Sequence, residues 1–189
     1  SLIIPNNEKY RHFADFNGLK IITVCRLTEH IKGIDRIVRC AKILKTQGVS
    51  FMWCILGDGR DRLTIAQNIK ENDVGDCLFL YGNIENPFPY VKAADIFVLL
   101  SRFEGKPLCV TEALIVGTPP IVTNYPSAKE QIIHNENGFI MDNDEESIEK
   151  FIRLLASGGY DYLYLRKNLS NKPFRVEKSV GNIIKVIEE

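Results

Sequence analysis

Five consecutive apolar residues, Ile96-Phe97-Val98-Leu99-Leu100, followed at once by a polar turn, constrain this chain more than any other stretch. A run with no polar position has no face for water, so it reads as a buried strand of a parallel sheet. Parallel neighbours need a crossover, usually a helix, and the next residues supply one. Pro107 lies where a helix would begin, a favoured first-turn position because its missing N–H is not needed there. Leu108, Val110, Ala113, Leu114 and Val116 suit a largely buried helix, and Gly117 suits its C-cap. Thr118-Pro119-Pro120 then restarts the chain as the strand Ile121-Val122-Thr123. One acid, Glu104, falls on the turn at the strand's carboxyl end, and a second, Glu112, falls inside the helix. That is the crevice where open α/β sheets bind ligands.

The rest of the chain repeats this alternation. Residues 19–24, 50–56, 78–81 and 138–141 read as strands. Apolar residues at Ile34, Ile37, Val38, Ala41 and Leu44 have helical periodicity, stopped by Gly48. Gly57-Asp58-Gly59 turns into a helix ending near Glu71, and residues 90–94, 129–134 and 144–156 are further helices, with Pro173 as a break in the tail. The fold class is α/β: a Rossmann-like parallel sheet with helices on both faces. Residues 1–18, with Pro5-Asn6-Asn7, read as a linker remnant, and residues 19–189 as one domain.

Composition removes several function classes. Lys and Arg total 24 against 24 Asp and Glu, so bulk charge does not point to nucleic acid. No apolar run approaches the roughly 20 residues of a spanning helix, and no signal-peptide pattern is visible. Cys25, Cys40, Cys54, Cys77 and Cys109 make no C-x-x-C pair and read as reduced core thiols of a cytosolic protein. His12, His30 and His134 lack ligand spacing. Asp142-Asn143-Asp144 mimics a D-x-D metal motif, but it precedes a helix, so N-capping is the better account. Gly57-Asp58-Gly59 fails the dinucleotide fingerprint, because Arg62 stands where the third glycine belongs.

Two acids eight apart are weak evidence alone. Here they come with Ser101, Phe103-Glu104-Gly105, Glu112-Ala113-Leu114 and Gly117-Thr118-Pro119. Together these resemble the E-x7-E signature of family-four retaining glycosyltransferases of the GT-B fold, over about residues 20–155. The resemblance implies one half of a GT-B fold, the C-terminal donor-binding domain, with residues 1–18 leading in from the hinge. The implied activity is transfer of a sugar from a nucleoside diphosphate sugar to an acceptor hydroxyl with retention, in cell-surface polysaccharide or glycolipid synthesis. The donor is a UDP- or GDP-sugar and no metal is expected. The saccharide or lipid-linked acceptor would meet a missing N-terminal domain, so the isolated chain would be inactive. The implied location is cytoplasmic, with the full-length protein peripheral to the inner face of the membrane.

Site residues follow from the same match. Arg26 and Lys32-Gly33 align with the family's diphosphate contacts in the turn after the first strand. From the turn alone they read first as solvated surface cations, the commonest kind. Glu104 aligns with the acid beside the sugar and diphosphate, and Glu112 with the acid that holds the ribose. Gly57 falls on the nucleotide side, and Asn83 heads a loop placed to meet the base. Gly105, Lys106 and Leu108 complete the expected binding set, with Glu104, Arg26 and Lys32 as the catalytic group. Many members read Glu-Gly-aromatic-Gly where this chain has Glu104-Gly105-Lys106-Pro107. Pro107 removes one N–H donor, and Lys106 adds a charge within reach of phosphate or acceptor. Two other readings stay open: a GT-B nucleotide-sugar epimerase, and a non-catalytic nucleotide-binding domain.

Overall fold

A computed structural model describes residues 7–172 and 174 of the chain. Six parallel strands, β1 (Leu19–Val24), β2 (Phe51–Leu56), β3 (Leu78–Gly82), β4 (Ile96–Leu99), β5 (Pro120–Thr123) and β6 (Phe139–Met141), form one sheet in the order β3-β2-β1-β4-β5-β6. The chain moves outward from β1 to β3, then returns to β4 and runs the other way. The order therefore reverses between β1 and β4, and the loops leaving those two strands diverge there. A crevice is left at their carboxyl ends.

Alternation along each strand builds two cores. Ile21, Trp53, Ile55, Val98 and Ile121 face one side, where α3 (Ile34–Thr46), α4 (Arg62–Glu71) and α8 (Glu145–Ala156) cover them. Ile22, Met52, Cys54, Phe97, Leu99 and Val122 face the other, beneath α1 (Glu8–Ala14), α5 (Phe88–Ala93), α6 (Leu108–Ile115), α7 (Ala128–Gln131) and α9 (Tyr162–Asn171). Every residue of β2, β4 and β5 is buried. Helices thus lie on both faces, as their runs without polar alternation require.

Three polar contacts hold the middle of the sheet. Thr23 Oγ1 donates to the Val98 carbonyl at 2.7 Å, and Trp53 Nε1 donates to Thr23 Oγ1 at 3.0 Å. Thr123 Oγ1 donates to the Ser101 carbonyl at 2.6 Å, which fastens the end of β5 to the turn after β4. All lie in the buried interior, where an unpaired hydroxyl would cost its full desolvation.

Two helices within the first 32 residues go beyond the reading from sequence. Residues 8–14, read only as part of a linker, form α1, whose Asn7 cap accepts from the Tyr10 N–H and whose Phe13 is fully buried. The turn after β1 contains a single helical turn, α2 (Glu29–Lys32). Pro107 sits at the N-cap of α6, one residue before the expected place, with extended backbone. Asp144 caps α8 by accepting from the Ser147 N–H. Residues 1–6 and Pro173, also part of the sequence reading, lie outside the described residues.

Candidate functional site

The turn after β1 approaches the turn after β4 because glycine is placed where nothing larger fits. Gly33, between α2 and α3, has a φ of 63°, and a Cβ there would stand 2.1 Å from the Leu100 carbonyl oxygen. Lys32 immediately precedes it and is therefore carried to the end of β4. Lys32 Nζ donates to Glu104 Oε1 at 2.6 Å, and Ser101 Oγ donates to the same oxygen at 2.7 Å. The two side chains are 22% and 9% exposed. A charge-assisted bond this short and sheltered fixes the carboxylate. Glu104 Oε2 and the remaining ammonium protons of Lys32 have no partner among the described residues.

On the other side of the turn, Arg26 is exposed and makes no ion pair among the described residues. It lines a cleft of about 340 Å³ with Gly57, Asp58, Asn83, Ile84 and Pro87. Gly57 permits this approach: its φ is 131°, and a Cβ would lie 2.0 Å from the Cys25 carbonyl oxygen. The carboxyl ends of β1, β2 and β3 thus bring Arg26, Gly57 and Asn83 to one place. A second cleft of about 310 Å³ is lined by Phe103, Glu104, Gly105, Asn124, Tyr125 and their neighbours.

Glu112 lies on α6, half-buried, and none of the described residues pairs with it. Burial pushes its carboxyl above the ordinary carboxylate range. It shares a face of the helix with Cys109, three residues earlier. Cys109 in turn lies within electrostatic reach of Cys25, Glu104, Glu112 and Lys32. The two acids of the E-x7-E pattern, Lys32 and two thiols are therefore within electrostatic reach of one another through Cys109. Burial holds the Cys25 and Cys109 thiols up at about 12, and both are free. Such thiols stay protonated and inert at neutral pH.

The other expected residues have contacts or exposure of their own. Lys106 Nζ pairs with Glu130 Oε2 at 3.1 Å, both side chains well exposed, and an exposed pair of this kind holds a side chain only weakly. Leu108 stands at the first turn of α6 and is 56% exposed. Gly105 is exposed, and its carbonyl accepts from Ser127 Oγ. His30 contributes a backbone carbonyl, which accepts from Arg102 Nη1 at 3.0 Å. Asn143, read as part of a helix cap, has an amide that bridges Arg36 and the Arg102 carbonyl. Asp35, Arg102 and Asn143 are the neighbours that sequence reasoning missed. They lie 41 to 108 positions apart and carry no local pattern.

Among the described residues no helix is long and apolar enough to cross a membrane. Similar proteins share this architecture. A crystal structure of the C-terminal domain of a glycosyl transferase group 1 family protein (LpcC) from Francisella tularensis matches with a TM-score of 0.69 and 20% identity, covering 89% of this chain and 93% of that one. The pneumococcal O-GlcNAc transferase GtfA, solved with UDP and GlcNAc, matches with a TM-score of 0.72 and 20% identity, over 90% of this chain and 35% of that one. These likenesses place the fold among glycosyltransferases of the GT-B kind. In sequence, the amylovoran biosynthesis glycosyltransferase AmsK of Erwinia amylovora is 32% identical over 152 residues, 76% of this chain and 37% of that protein. The chain spans half or less of the length of the curated relatives it matches. Residues 6–172, most of the chain, match the model of the family described as glycosyl transferases group 1, and the chain belongs to that family.

Proposed function

We propose that this chain is the donor-binding half of a retaining glycosyltransferase, taking a nucleoside diphosphate sugar at the crevice between β1 and β4. The observation that carries the reading is the pairing of a sheltered Lys32–Glu104 contact with a half-buried, unpartnered Glu112, both within electrostatic reach of Cys109. An unpartnered carboxylate that pays desolvation is an acceptor awaiting donors. The two hydroxyls of a ribose supply them, and a diphosphate suits the exposed Arg26 and the ammonium protons of Lys32 that Glu104 leaves free.

In this reading Arg26 and Lys32 offset the charge that builds on the departing diphosphate. Glu104, held by Lys32 and Ser101, orients the sugar and diphosphate rather than attacking carbon. The sugar occupies the cleft beside Gly105 and Phe103. Gly57 and Asn83 face the nucleoside. The donor is a UDP- or GDP-sugar, and no metal is required. Support comes from the fold shared with GtfA, solved with UDP and GlcNAc, and from the relatedness to AmsK, a glycosyltransferase of amylovoran biosynthesis.

The fraction of each relative that this chain matches supports a division of labour. The acceptor, a saccharide or lipid-linked saccharide on the cytoplasmic side, is bound by a second domain. This chain alone then binds donor without transferring sugar, because the reactants are not held together.

The test begins with calorimetric titration of UDP and GDP. Arg26→Ala or Lys32→Ala is expected to weaken the preferred diphosphate by roughly 10- to 100-fold, as loss of a charge-assisted contact implies. Binding of the corresponding nucleoside should stay within about twofold, since it carries no charge for either cation to meet. Equal losses for both ligands would remove the diphosphate assignment. Robust sugar transfer by this chain alone would sink the half-enzyme reading.

A further inference from the structure

We infer that Arg102 is a positioning residue that sets the distance between Lys32 and Glu104, an inference that rests on the donor-site reading above. Arg102 stands between Ser101 and Glu104 and grips the opposite turn with backbone and side chain together. Its N–H donates to the Ile31 carbonyl at 2.9 Å, and its Nη1 donates to the His30 carbonyl at 3.0 Å. These are the two residues immediately before Lys32. The same guanidinium forks onto Asp35, Nη1 to Oδ1 and Nη2 to Oδ2, both at 2.7 Å.

The grip is reinforced from the third turn at this end of the sheet. The Arg102 carbonyl accepts from Asn143 Nδ2 at 3.0 Å, while Asn143 Oδ1 accepts from the buried Arg36 at 2.7 Å. Arg36 Nη1 also donates to the Leu100 carbonyl at 3.2 Å. The loops after β1, β4 and β6 are therefore joined through one side chain and its immediate neighbours. An ordinary surface ion pair does little, but this one is bidentate and 17% exposed on the Arg102 side. Burial alone would raise the Asp35 carboxyl. The hydrogen bond and charge of Arg102, with the charge of Arg39 and the backbone N–H of Arg36, together outweigh it and hold the carboxyl below its ordinary range.

Lysine reaches its partner on a flexible four-carbon stem. Its ammonium stays 2.6 Å from Glu104 only while the backbones of both turns keep register. A planar fork that binds the carbonyl ahead of Lys32 and the carboxylate behind it supplies that register. Lysine at position 102 would not, because a point charge makes no fork.

The test is a cycle of variants of the full chain, titrated with UDP and GDP and, as controls, with uridine and guanosine. Arg102→Met is expected to weaken the preferred diphosphate about tenfold and leave its nucleoside within about twofold. In a Lys32→Ala background the same change should cost less than about twofold, since a residue that acts through Lys32 has nothing left to position. A loss of equal size in both backgrounds overturns the inference, as does an equal loss of nucleoside binding. Asp35→Asn carries the same test if Arg102→Met fails to fold, which thermal melting will show. Failure of the unaltered chain to bind either diphosphate overturns the donor-site reading, and this inference with it.

Discussion

Glu112→Gln is expected to raise the melting temperature of the ligand-free protein while weakening nucleoside diphosphate binding by about 1.5–3 kcal/mol, roughly 10- to 150-fold. Both effects come from one fact: Glu112 is half-buried with no partner, and burial raises its pKa above the usual 4.5. A carboxyl with a raised folded pKa holds its proton more tightly in the native state than in the unfolded chain. Its ionisation therefore costs the folded protein stability as pH climbs from the unfolded value through the raised one, and stability returns on acidification. Glutamine keeps the shape and removes that cost. The gain in melting temperature should accordingly widen as pH rises above the ordinary carboxylate range, about pH 4. The same substitution removes the charged acceptor that a ribose would use. A 2′-deoxy nucleotide already lacks one of the two hydroxyls, so the losses from the substitution and from the deoxy ligand should not add. A stabilised protein with unchanged affinity would separate Glu112 from the ligand. Full additivity would place it away from the 2′-hydroxyl.

Gly33→Ala should cost about 2–4 kcal/mol of folding stability and remove the Lys32–Glu104 contact with it. Two penalties combine there. The φ of 63° is left-handed, and the new Cβ would stand 2.1 Å from the Leu100 carbonyl oxygen, a backbone atom that cannot step aside. Gly48 separates these penalties, because its φ is 73° yet nothing lies within 4 Å of a Cβ. Gly48→Ala is expected to cost only about 1–2 kcal/mol, the left-handed penalty alone. Urea unfolding of both variants measures the difference, which belongs to the contact between the α2–α3 turn and the end of β4. Equal costs would show that the close approach at Gly33 relaxes freely.

Lys106 shows how far a local pattern reaches. Its place beside Gly105 suggests a charge for phosphate or acceptor, but its ammonium lies against Glu130, a residue 24 positions later that no pattern connects to it. The same holds for α1. A Pro-Asn segment with mixed polarity has no strong helical period, yet residues 8–14 wind because Asn7 caps them and Phe13 finds a place in the core against α5. Tertiary burial overrides weak propensity in short elements.

The sequence by itself determined the sheet, its parallel sense and the ends of most elements. Those follow from short-range facts: apolar runs without alternation, helical spacing, and glycine or proline at the joints. It also determined which acids and cations lie at carboxyl ends of strands, since that depends only on element order. What only the tertiary structure decided is which of them meet. Lys32 and Glu104 are 72 positions apart, and Arg102 reaches Asp35 across 67. Their contact requires β1 and β4 to be neighbours and Gly33 to let the turns close. Side-chain pairing of this kind depends on the chain's return path and on packing to within an ångström. Neither leaves a periodic trace in the residues themselves.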